Sequence, residues 1–102
     1  MASVKKYLKE AETLKAKEDL SDERKLEFLE AQIDGYKTQA YRFETEIEIA
    51  KRYIKVGEQI GGEEAYTETG ESKIMEAVQS LRSIVLSIDK LIEMREKLKK
   101  DM

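Results

Sequence analysis

The chain contains no cysteine, no histidine, no proline and no tryptophan. Without cysteine there can be no disulfide framework and no thiolate metal site, and the composition suits a reducing compartment. Without histidine there is no imidazole base and no histidine-ligated zinc or iron. With no proline and only 5 glycines, nothing interrupts long helices except a few identifiable points. Aromatic residues are scarce at 7%. No apolar run approaches the roughly 18 residues a membrane span needs. The start, Met1-Ala2-Ser3-Val4-Lys5-Lys6, is not followed by the apolar stretch of a signal peptide. A soluble, cytoplasmic protein is expected, with no cofactor and no membrane partner. The net charge of −3 lacks the basic surplus that a grip on nucleic acid requires.

What is present is a heptad ladder. Leu26, Leu29, Ile33, Tyr36, Ala40, Phe43, Ile47, Ala50 and Ile54 follow one another at alternating spacings of 3 and 4. That is the a/d seam of a coiled coil, and it must be covered by another helix. A second ladder comprises Ile74, Ala77, Leu81, Ile84, Ile88, Leu91, Arg95 and Leu98. Val78, Val85 and Ile92 add a flanking e row, and Phe28, Ile49, Val56, Tyr53 and Ile60 widen the first ladder at c and g. Faces this wide fit a bundle better than a two-stranded zipper.

The 102 residues are expected to form one all-α domain, a short helix packed on a long antiparallel hairpin and completed by oligomerisation. Helix 1 is predicted over about 3–19, with Val4, Tyr7, Leu8, Ala11 and Leu14 as an apolar stripe that docks on the hairpin. Ser21 reads as an N-cap, followed by Asp22 and Glu23 where the helix dipole favours acids. Helix 2 is predicted over about 22–60 and helix 3 over about 71–100. Asp34-Gly35 is a turn dipeptide, but the 3-4 spacing passes through it unshifted, so Gly35 reads as a kink or a close helix approach. Residues 61–70, with three glycines and two threonines, are predicted to be the one loop.

Few residue sets invite chemistry. Glu44 and Glu48 share a helix face, but a di-iron bundle would add histidines, and pairing of Glu48 with Arg52 explains them as surface. The glycines at 61, 62 and 70 lack the Gly-Lys-Ser/Thr pattern of a phosphate loop. Arg95 at an a position either snorkels to solvent or pairs across an interface. Tyr7 and Tyr36 lie on the predicted stripes. Glu58, Glu63, Glu64, Tyr66, Glu68 and Glu71 form an acidic tip that could dock a partner. The tail from Lys90 has five basic residues against three acidic ones.

The segments Gly70-Glu71-Ser72-Lys73-Ile74-Met75-Glu76-Ala77-Val78 and Ile88-Asp89-Lys90-Leu91-Ile92-Glu93-Met94-Arg95 carry a family likeness. This region resembles the N-terminal helical region of ArpU-type phage transcription regulators. The resemblance implies a phage or mobile-element origin. That family follows the region with a helix-turn-helix, which these residues do not include, so its DNA binding is not carried over. The expected function is a non-enzymatic protein–protein interaction module acting as adaptor, inhibitor or assembly component. It is expected to be a homo-oligomer, preferably a dimer, with another protein as partner. The alternative is a nucleic-acid-associated regulator using the basic tail.

Overall fold

The structure is a computed structural model that describes residues 2–14, 18–59 and 64–102, with backbone alone at Ala2 and at 64–66. It is all-α. Helix α1 runs Ala2–Thr13, α2 Asp22–Gln59 and α3 Glu64–Asp101. The two long helices, 38 residues each, pack against one another. Their contacts run antiparallel. Gly70 lies against Ala50 and Ile54, and the Lys73 ammonium stands over the Tyr53 ring. At the other end Phe28 and Leu29 line one groove with Met94 and Leu98.

The cap at Ser21 is as predicted. The Arg24 amide donates to Ser21 Oγ at 3.3 Å, and the Lys25 amide donates to the Ser21 carbonyl at 3.0 Å. Just before it, Lys25 Nζ donates to Asp19 Oδ2 at 2.6 Å, which fastens the incoming chain to the first turns of α2. The carboxylate's hydrogen bond raises the Lys25 pKa above its usual 10.5, with coulombic help from Asp19 and Asp22.

α2 is continuous through Asp34 and Gly35. Gly35 is not a close approach, because an added Cβ there would meet open space. The close approach is at Gly70, where a Cβ would come within 2.5 Å of Ile54 Cγ1 and 2.8 Å of the Ala50 carbonyl oxygen. The expectation of a loop at Gly70 is corrected, because α3 begins at Glu64 and carries this glycine in its interior. Glu, Ala and Thr without proline can continue a helix. The penalty of about 1 kcal/mol for a helical glycine is offset by the packing it permits. Of the predicted loop, residues 61–63 lie outside the described residues, as does Ile60.

α1 departs from expectation in two ways. It ends at Thr13, whose hydroxyl donates to the Glu10 carbonyl at 2.8 Å, rather than near Asp19. It also packs on neither α2 nor α3. Its stripe of Val4, Tyr7, Leu8 and Leu14 is exposed, so the predicted docking of helix 1 is not made and Tyr7 is not core. Amphipathicity shows that a helix has a face to bury, but not which surface receives it.

Candidate interaction surface

The two ladders form the interface of the hairpin. Leu29, Ile33, Ala50, Ala77 and Ile84 are its buried hydrophobic residues. Leu26, Tyr36, Phe43, Ile47, Ile54, Ile74, Leu81, Ile88 and Leu91 are half-buried along the same line. Small residues gather near the turn: Ala50, Gly57, Gly70 and Ala77 are all buried there. Small side chains let backbones approach, whereas the larger ones toward the open end leave room on one face of the pair.

That room is a groove of about 580 Å³ lined by Leu20, Phe28, Leu29, Met94 and Leu98, with Lys25, Lys90, Glu93, Lys97 and Asp101 at its edges. A shallower continuation runs past Gln32, Tyr36, Ser83 and Leu86 and shares Phe28 and Lys90 with the first. The same face holds Tyr53 beneath Lys73, with a nitrogen-to-ring distance of 6.0 Å. Ile49 and Tyr53 are exposed, while Val56 is half-buried. On α3 the e row is thinly covered: Val78 and Val85 are exposed and Ile92 is half-buried.

Fifteen large hydrophobic side chains are exposed among the described residues, against five hydrophobic residues buried. Spacing marks Phe28, Ile49, Tyr53 and the e row as surplus to one seam. It does not mark Leu20 or Met94. Met94 lies at a g position, and a single heptad strip gives no weight to a g residue until the facing helix is known.

The charged candidates are dispersed. Glu58, Glu68 and Glu71 are exposed. Glu63 and the side chains of Glu64 and Tyr66 lie outside the described residues, and the backbone at 64–66 is helix rather than loop. Glu48 pairs with Lys51 at 3.0 Å instead of the expected Arg52. Arg95 is half-buried and pairs with the neighbouring Glu96 at 3.1 Å, and Lys90 pairs with Glu93 at 3.4 Å. Among the described residues no polar or charged side chain is buried, and no three acids gather as a metal site. No helix among them is long and apolar enough to cross a membrane. The surface therefore offers shape and apolar area rather than desolvated reactive groups.

No protein family, curated protein or solved structure matches this chain.

Proposed function

We propose that the protein is a non-enzymatic helical interaction module that acts as a homodimer and presents its outer faces to another protein. What supports the reading is the imbalance between five buried hydrophobic residues and fifteen large exposed ones among the described residues. A helical pair with so small a core is marginal alone, and small domains commonly make up the deficit by association. The exposed apolar positions are contiguous on the face that carries the groove, the arrangement that marks an association site. The acidic positions Glu58, Glu68 and Glu71 stand apart from that face's open end and offer a docking point for a basic partner. A reducing, cytoplasmic setting fits the absence of cysteine. The ArpU-like segments favour an origin on a phage or other mobile element.

Light scattering on the eluting protein, across a tenfold concentration range, tests the reading. The expected result is twice the 11.8 kDa chain mass. A concentration-independent monomer overturns it.

A further inference from the structure

We infer that α1 is an exchange arm: in the dimer, each chain's α1 lies in the groove between α2 and α3 of the other copy. The inference rests on the dimeric reading above and names the contact that makes it.

Two unpartnered surfaces match. α1 is a helix of 12 residues whose Val4, Tyr7, Leu8 and Leu14 are each more than half exposed. A helix this short is marginal in water, and this one has no acid in its first turn and no base in its last to complement the dipole. It needs an apolar surface to persist. The groove presents Leu20, Phe28, Met94 and Leu98 along the stretch of α3 from Lys90 to Asp101. That stretch and α1 are both about 18 Å long at 1.5 Å per residue.

The occupant is a second copy. α1 touches neither helix of its own hairpin, which is the open-arm arrangement that exchange requires. Leu20 sits at the mouth of the groove and Asp19 is fastened to Lys25, so the chain's own lead-in borders the groove without filling it. The area points the same way. A buried side chain of this size removes on the order of 100 Å² from water, of which about half remains to be hidden on each surface. Four side chains of the arm and four of the groove then bury roughly 500 Å² per arm. Two reciprocal arms bury roughly 1,000 Å², the lower bound of a specific interface, whereas a single arm falls among adventitious contacts. Reciprocity also closes the assembly at two chains through a twofold axis.

The natural absence of cysteine permits a clean test on the full chain. Leu8→Cys chains are mixed with Met94→Cys chains, and separately with Phe28→Cys chains, then treated with a short flexible bismaleimide. All three positions are exposed, so the variants retain the fold. The expected result is a covalent species of two different chains, with Leu8→Asp weakening dimerisation of the unlabelled protein by about tenfold or more. Linkage confined to single chains in the doubly substituted Leu8→Cys/Met94→Cys protein would show α1 folding back on its own hairpin, and would overturn the exchange. A dimer by light scattering with no linkage at either pair would also overturn it, while leaving the dimeric reading intact. A monomer by light scattering overturns both.

Discussion

Two glycines on the hairpin should respond to the same substitution with opposite signs. Gly35 lies in the interior of α2, and a Cβ added there would have nothing within 4 Å, so alanine meets no obstacle. Gly35→Ala should stabilise by about 0.5–1 kcal/mol, the helix-propensity difference. Gly70→Ala gains the same propensity term but drives a methyl to 2.5 Å from Ile54 Cγ1 and 2.8 Å from the Ala50 carbonyl oxygen. Ile54 could turn away, but the carbonyl belongs to the α2 backbone and cannot. The helices must therefore separate locally, and overpacking of this kind costs about 1–3 kcal/mol. The net for Gly70→Ala is a loss of about 1–2 kcal/mol, or a melting temperature lower by roughly 5–10 °C for a chain of this size. Gly35→Ala should instead raise it by a few degrees. Thermal and urea unfolding followed by circular dichroism, at one fixed protein concentration, would measure both. A Gly70→Ala protein as stable as the parent, with undiminished helicity, would refute the close approach of α2 and α3 at that point.

Further outcomes follow from single contacts. Ile33→Ala removes a side chain only 2% exposed and should lower stability by about 2–5 kcal/mol in urea, and a smaller loss would mean the site can collapse around the cavity. Ser21→Ala should lower it by about 1 kcal/mol through loss of the cap on the Arg24 amide, with Ser21→Gly milder, and equal losses would exclude capping as the cause. Asp19→Asn should return the Lys25 ammonium to a lower pKa in an NMR titration. Because the folded value is raised above 10.5, the pair's contribution is full at neutral pH and fades as pH climbs through that raised value. An unchanged Lys25 titration in the variant would remove Asp19 as the cause.

The parts of the fold that repeat were legible in the sequence. The ladders from Leu26 to Ile54 and from Ile74 to Leu98 are interface because a 3-4 alternation can be satisfied only by a continuous helix with one covered strip. The same regularity carries α2 across Gly35 against the local turn signal. Ser21 was legible because a cap is a local device. Gly70 was not: glycine and threonine together read as loop, and only the Ala50 carbonyl across the hairpin shows why glycine is required. The groove was legible in part. Phe28 announced itself as an apolar residue off the seam, while Leu20 and Met94 become neighbours only once the two chain ends are brought together.

The position of the tight contact also orders the folding of the hairpin. Gly70 meets Ala50 and Ile54 across no more than about twenty residues of chain, whereas Leu29 and Leu98 share the groove across nearly seventy. Closing the longer loop first would cost roughly 1 kcal/mol more in chain entropy. The pair should therefore zip from the turn outward, with the glycine-notched segment as nucleus and the open end joining last. Hydrogen exchange would then be graded along both helices, slowest near Ala50 and Ala77 and fastest beside Phe28 and Met94.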